Sequence, residues 1–361
     1  MTRLRDLGIG LGDFPTGPAN AITDVPGVAV GHLTLIHDEP FVARSGVTAI
    51  LPVAGQVWSA PVFAGVHSFN GFGEVTGTLW LNEAGVLLGP VMLTATHSVG
   101  AVHEGVMAHA AAQAPDSGLV LPVVAETHDG YLSDGNRFPV RPEHAVTAIA
   151  AASTAPPAEG CVGGGTGMIA HEFKAGIGTA SRRLETAGGR FTLGCLVQAN
   201  YGWRGDLRLD GVPVGRAISC DAVPSAYGSP RQPRPQAGDG SIIVVLATDA
   251  PLLPVQCRRL AQRATAGLAR TGGFGHDGSG DIFLAFSTGN RPSLDATAVS
   301  GGLAMIPNPA INPLFRAAVE ATEEAIWNAL LAATTTTGRL GRSAPAIPAE
   351  RVRAVWRQAR G

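Results

Sequence analysis

Between residues 221 and 247 the chain reads Asp221-Ala-Val-Pro-Ser-Ala-Tyr-Gly-Ser-Pro-Arg-Gln-Pro-Arg-Pro-Gln-Ala-Gly-Asp-Gly240, then Ser241-Ile-Ile-Val-Val-Leu-Ala247. Prolines at 224, 230, 233 and 235 and glycines at 228, 238 and 240 oppose any regular element, so residues 221–240 are expected to form a linker. The run after it carries apolar, mostly β-branched side chains in both alternating sets. Only a strand covered on both faces buries such a run, so residues 241–247 are predicted to be a central strand. A serine therefore stands where a polar linker gives way to a buried element.

On the C-terminal side, residues 253–270 carry Leu260, Ala264 and Leu268 on one helical face, with Arg258, Arg259 and Arg263 elsewhere. Residues 281–286 read as the next strand. Asn312 reads as a helix cap with Pro313 at the first helical position, opening a helix through Val319, Ile326 and Leu330. Residues 339–361 hold six arginines and two prolines and are expected to be a solvated or subunit-contacting end. On the N-terminal side, Asn20-Ala-Ile-Thr-Asp-Val-Pro-Gly27 is turn-rich and precedes an alternating strand at 28–36. Residues 47–53 and 89–95 read as further strands, the second feeding a helix through Ala112. Short apolar runs alternating with alanine-rich helices point to a layered α/β or α+β protein.

A chain with 45% hydrophobic and 15% charged residues can bury a large core. Its formal net charge of −2, with both signs mixed, gives no electrostatic footprint for nucleic acid, which leaves small molecules as the expected partners. No run reaches about 18 apolar residues, and glycine and proline punctuate the N-terminus before a signal-type run can form. A soluble cytoplasmic protein with no membrane partner is expected. Cys161, Cys195, Cys220 and Cys257 form no CxxC pair and are expected to be buried free thiols. His103-Glu104 and His109 lack HExxH spacing and the remaining histidines form no metal set, so no metal and no cofactor is expected. Gly163-Gly-Gly-Thr-Gly167 is followed by no GK[ST] and completes no GxGxxG pattern, so close backbone packing is its expected role.

A glycine before a serine at the mouth of a buried strand suits self-cleavage. Gly240 tolerates a strained backbone and leaves its carbonyl open to the neighbouring Ser241 hydroxyl. Attack converts the peptide to an ester, which water hydrolyses. The freed serine then carries an α-amine with a reference pKa of about 7.7–8.0, so nucleophile and base reside in one residue. Taken alone, the junction reads more simply as a linker meeting a strand with no chemistry. A second block, Gly275-His-Asp-Gly-Ser-Gly-Asp281, sets Ser279 and Asp281 two apart at the mouth of the next strand, on one face. There a hydroxyl and a carboxylate can orient the α-amine and relay protons. The alternative is a glycine-rich loop with a strand-capping aspartate.

These two blocks join Asn20-Ala-Ile-Thr-Asp-Val-Pro-Gly-Val28, Ser68-Phe-Asn-Gly-Phe-Gly-Glu-Val-Thr-Gly77, Thr96-His-Ser-Val-Gly100, Val124-Ala-Glu-Thr-His-Asp-Gly-Tyr-Leu132, Gly163-Gly-Gly-Thr-Gly-Met168 and Val197-Gln-Ala-Asn-Tyr-Gly202. Together they resemble the DmpA/BapA family, the L-aminopeptidase/D-esterase and β-aminopeptidase enzymes of peptidase family S58, over most of the chain. The resemblance implies an α+β fold: a four-layer αββα sandwich, N-terminal-nucleophile-hydrolase-like and of the DmpA/ornithine acetyltransferase type. It implies autoproteolysis into a large subunit, residues 1–240, and a small one, residues 241–361, forming one combined structural domain. A homo-oligomer of such cleaved heterodimers is implied as well.

The family's nucleophile falls on Ser241, its second serine on Ser279 and its acidic partner, usually glutamate, on Asp281. Aspartate is one methylene shorter, and Gly278 and Gly280 are expected to leave slack for restoring it. The oxyanion-hole amide falls on Asn200, and the carboxylate facing the substrate's free amine falls on Glu126. A tyrosine in or beside the oxyanion site falls on His128 by motif alignment and on Tyr131 by residue type. The implied activity is that of a serine aminopeptidase or amidase. It would release N-terminal α- or β-amino acids from small peptides, amides or esters by acylation of Ser241. Two alternatives stand beside it: an amide hydrolase of non-natural oligomers on the same fold, against which Glu126 speaks, and an uncleaved homologue acting as a binding or structural module.

Overall fold

The apolar run after Ser241 has two faces to bury, and both are covered. In the computed structural model, which describes residues 1–55, 57–113, 115, 119–186, 188–228, 240–293 and 301–361, it is an inner strand of the larger of two stacked sheets. Most of the linker, with Pro230, Pro233, Pro235 and Gly238, lies outside the described residues. In chain order the strands are β1 (Ala29–His37), β2 (Ala43–Leu51), β3 (Val62–Gly71), β4 (Val86–Leu87), β5 (Val91–Ala95), β6 (Val123–Thr127) and β7 (Ile169–Ala170). They continue with β8 (Phe173–Lys174), β9 (Ile177–Thr186), β10 (Gly189–Tyr201), β11 (Gly240–Thr248), β12 (Gly280–Ser287), β13 (Thr336–Thr337) and β14 (Ser343–Ala344). The helices are α1 (Thr78–Ala84), α2 (Val99–Gln113), α3 (Pro142–Ala150), α4 (Val214–Ala217), α5 (Pro254–Ala261), α6 (Ala264–Arg270), α7 (Asn312–Leu331) and α8 (Ala349–Arg360).

One sheet has the order β1-β2-β5-β6 and the other β4-β3-β12-β11-β10-β9; β7 with β8 and β13 with β14 form short ribbons. Val30, Ile50 and Leu93 of the first sheet meet Leu196, Ile243 and Leu284 of the second between the layers. On the outside of the smaller sheet, Val102 and Val106 of α2 and Ile149 of α3 cover Val47, Ala49 and Met92. On the outside of the larger, Leu260 of α5, Leu268 of α6 and Ile326 of α7 cover Val197, Val244 and Phe283. The result is the αββα sandwich expected from the resemblance. Each fully buried aliphatic side chain contributes about 1.5–3 kcal/mol relative to exposure, which is why β11, with Ile242 to Ala247 all at most 2% exposed, holds the centre.

Connectivity sets the site. β11 and β12 run parallel, so the chain between them must cross over, and α5 and α6 make that crossover. β10 is antiparallel to β11 on its other side. In this frame Asn200 is paired with Ser241, and Ser241 with Gly280.

Several elements differ from the sequence reading. The helix expected over 253–270 is two, because the turn tightens where Arg263 N–H donates to the Leu260 carbonyl at 2.9 Å. Asn312 is inside α7 rather than its cap; Ile311 holds the cap position with no side-chain bond. The arginine-rich tail forms α8, whose Val352 is fully buried against the larger sheet's helical layer. No helix among the described residues is long and apolar enough to cross a membrane.

Candidate active site

The junction at β11 is stereochemically exact. Gly240 has φ +78°, and a Cβ built on it would lie 1.9 Å from the Asn200 carbonyl oxygen, so only glycine fits directly ahead of Ser241. Ser241 is 7% exposed, and its Oγ accepts a hydrogen bond from Gly280 N–H at 3.0 Å; among the described residues its hydroxyl proton has no acceptor. Register partners on neighbouring strands project from the same face, so the Asn200 and Ser241 side chains share one face. Both line a cavity of about 1000 Å³, together with Glu126, His128, Tyr131 and Trp203.

Asn200 is oriented at both ends of its amide. Its Oδ1 accepts Ile169 N–H at 2.9 Å and its Nδ2 donates to the His128 carbonyl at 3.1 Å. An amide nitrogen has two protons, so one remains to meet an oxyanion beside Ser241. Glu126, at the end of β6, is 4% exposed. Its Oε1 accepts Glu74 N–H at 3.0 Å and its Oε2 accepts the Thr96 hydroxyl. Burial raises its pKa, and these two hydrogen bonds oppose the rise. A buried carboxylate held this way favours a cation beside it, which is what an amine-anchoring role requires.

Ser279 and Asp281 are brought together: Ser279 Oγ donates to Asp281 Oδ1 at 2.7 Å. Both are buried and neither lines the cavity. The reason is register. Gly280 pairs with Ser241, so Asp281 pairs with Ile242 and projects from the opposite face, toward the helical layer where Ile242 packs. Its carboxylate therefore lies beside the main chain of β11 at Ile242, one residue on from Ser241, rather than at the Ser241 hydroxyl. Burial pushes the Asp281 carboxyl up to about 6, against the pull of the Ser279 and Ile242 hydrogen bonds. The expected slack does not extend to Gly280, where a Cβ would lie 2.6 Å from the Phe72 carbonyl oxygen on the face opposite the carboxylate.

His128 and Tyr131 both line the cavity, with different ties. His128 supplies the carbonyl that holds Asn200, and its ring stands 5.7 Å from that of His97. Burial, and then His97, lowers the His128 pKa. The Tyr131 hydroxyl donates to the Ala226 carbonyl, and its ring meets Tyr227 edge-on at 4.9 Å. The 163–167 glycines pack closely, as expected: a Cβ at Gly164 would lie 2.1 Å from Gln198 Oε1. Of the four free thiols, Cys195 and Cys257 are buried, while Cys161 and Cys220 are only partly so. Among the described residues no group of His, Cys, Asp and Glu could hold a metal ion.

Sequence reasoning missed Thr96, Trp203, Tyr227, Arg339 and Arg342, all of which line the cavity. Thr96 belonged to a motif already singled out. The two arginines sat in the tail and carried no signal beyond charge.

The model of peptidase family S58 matches residues 20–344. A beta-peptidyl aminopeptidase, BapA of Sphingosinicella microcystinivorans, is 46% identical over 371 residues, covering 99% of this chain and 92% of that protein. Among solved structures, a Burkholderia sp. beta-aminopeptidase superposes with a TM-score of 0.89 at 49% identity, covering 99% of each chain. The L-aminopeptidase D-Ala-esterase/amidase of Ochrobactrum anthropi, a prototype for the serine aminopeptidases and a variant of the Ntn hydrolase fold, gives a TM-score of 0.89 at 44% identity, again over 99% of each chain.

Proposed function

The chain belongs to peptidase family S58 and is a hydrolase of the aminopeptidase class, and from its site we propose that it cuts itself between Gly240 and Ser241 and then acylates Ser241. In the first reaction Ser241 Oγ attacks the Gly240 carbonyl carbon, the peptide nitrogen leaves as the α-amine, and water hydrolyses the ester. This gives subunits of residues 1–240 and 241–361. In the second, the α-amine takes the hydroxyl proton as Oγ attacks the substrate carbonyl. Asn200 Nδ2 donates to the oxyanion, the α-ammonium returns the proton to the leaving amine, and water releases the acyl group.

Glu126 holds the substrate's ammonium, which selects substrates with a free N-terminus. Ser279 and Asp281 keep the α-amine placed by way of the β11 backbone. His128 holds Asn200, and Tyr131 forms part of the wall. Substrates are small peptides and amides with β-amino or α-amino termini, the β-class being favoured by the names of the relatives. The observation that carries this reading is the Ser241 hydroxyl facing the same cavity as Asn200 and Glu126, directly behind a glycine that nothing else can replace. Purified protein assayed on β-alanyl and alanyl p-nitroanilides tests it: turnover is expected in the wild type and none in Ser241→Ala. Turnover retained in that variant would place the nucleophile elsewhere.

A further inference from the structure

The cavity has a cationic end that the reaction above leaves unused. Arg339 and Arg342, on the turn joining β13 to β14, both line it. The turn is fixed to the wall of the site, because Arg339 N–H donates to the Leu132 carbonyl at 2.7 Å and Gly338 N–H to the Arg342 carbonyl at 2.9 Å. Arg342 lies over the Tyr131 ring, 4.9 Å from its centroid, and has no carboxylate partner among the described residues. Arg339 has, among the described residues, only Asp134, at 3.8 Å, and Asp134 stands at the same distance from Arg137. Among the described residues, no carboxylate closely neutralises either guanidinium at the cavity.

Their position follows from one short stretch of chain. From Glu126 the wall passes to His128, whose carbonyl holds the oxyanion donor Asn200, and then to Tyr131 beneath Arg342. That is the order of a bound peptide's own parts: ammonium, reacting carbonyl, leaving group. A short peptide with both ends free carries its negative charge on the leaving side. Planar guanidiniums match a carboxylate in geometry as well as charge.

We propose that Arg342, supported by Arg339, binds the free C-terminal carboxylate of a short peptide substrate, so that the enzyme prefers dipeptide acids to the corresponding amides. The proposal rests on the reading of Ser241 and Glu126 given above and adds the class of leaving group. Arg342 acts here as a specificity residue, remote from the reacting atoms.

The test compares β-alanyl-glycine with β-alanyl-glycinamide. In the wild type, kcat/KM for the acid should exceed that for the amide by about tenfold or more, the scale of one hydrogen bond to a charged group, with the difference in KM. Arg342→Gln should bring the ratio close to one, and Arg342→Lys should restore part of it. Equal turnover of acid and amide by the wild type, or an unchanged ratio in Arg342→Gln, overturns the proposal. A β-alanyl-aspartyl substrate amidated at its C-terminus separates the two sources of a carboxylate: it should behave like the amide, and behaviour like the acid overturns the assignment to the C-terminus. Failure of the wild type on β-alanyl p-nitroanilide would instead defeat the underlying reading. In that event calorimetry on Ser241→Ala still decides, since tighter binding of the acid supports the carboxylate site and equal binding refutes it.

Discussion

Asn200 and Ser241 are register partners across β10 and β11, so an amide donor and a hydroxyl leave one face of the sheet into one cavity. The Asn200 amide is fixed by Ile169 and His128, and that preorganisation is what an oxyanion donor needs. Asn200→Ala is expected to lower kcat by about 10²–10³-fold with the far-UV circular dichroism unchanged. A normal kcat would reduce Asn200 to a residue that ties β7 to β10.

Gly240 touches the same residue from the other side, its Cβ position lying 1.9 Å from the Asn200 carbonyl oxygen. Gly240→Ala adds that overlap to the cost of a left-handed backbone, about 1–2 kcal/mol. If the cleavage-competent geometry is the one described, the rate at which fragments appear on a denaturing gel should fall about fivefold or more. Processing at the wild-type rate would mean that the scissile peptide reacts in another conformation.

Glu126 is the residue proposed to answer the substrate's charge. Glu126→Gln keeps the shape and one carbonyl oxygen to accept Glu74 N–H, its amide nitrogen then donating to a turned Thr96 hydroxyl, and removes the charge. We expect KM for β-alanyl p-nitroanilide to rise more than kcat falls, with kcat/KM down by about 2 kcal/mol or more, the scale of breaking a buried charge pair. Because burial raises this carboxyl's pKa, the wild-type KM should also climb as the pH falls and the group gains its proton. A KM indifferent to the substitution would exclude Glu126 from amine binding.

Part of this site was legible in the sequence because it lies at element boundaries. Gly240-Ser241 sits where a proline-rich segment meets a β-branched run, and Ser279 and Asp281 share a face through two-residue spacing that holds in the structure. What stayed hidden has physical causes. β9 carries Arg182, which a sequence reader assigns to the surface. In the fold it is fully buried, 2.7 Å from Glu324 of α7 and 3.2 Å from Glu320. The face of the sheet on which Asp281 falls depends on its register with β11, a long-range pairing that no local pattern encodes. Arg339 and Arg342 reach the cavity only because a turn more than a hundred residues away in sequence from Tyr131 folds against it.

Asp281 is the carboxylate proposed to support the α-amine, and the packing there makes a definite expectation. With its carboxyl raised to about 6, Asp281 is ionised at neutral pH and takes up a proton as the pH drops through that value. If the ionised form holds the α-amine, kcat/KM should decline along an acidic limb centred near pH 6, and Asp281→Asn should show low activity without that limb. Asp281→Glu must fit an extra methylene into the helical-layer side of β12, where Asp281 is already 1% exposed. Overpacking of that kind costs about 1–3 kcal/mol, so we expect it to be less active than the wild type. If Asn and Asp give the same profile over pH 6–9, the carboxylate is only structural.

Ser241 is proposed to become a nucleophile by becoming an N-terminus. Intact-mass analysis of freshly purified wild-type protein, with N-terminal sequencing of each species, tests it most directly. Two chains are expected, one ending at Gly240 and one beginning Ser-Ile-Ile-Val, and a single uncut, inactive chain for Ser241→Ala. Wild-type protein that remains full length while hydrolysing aminoacyl amides would contradict it.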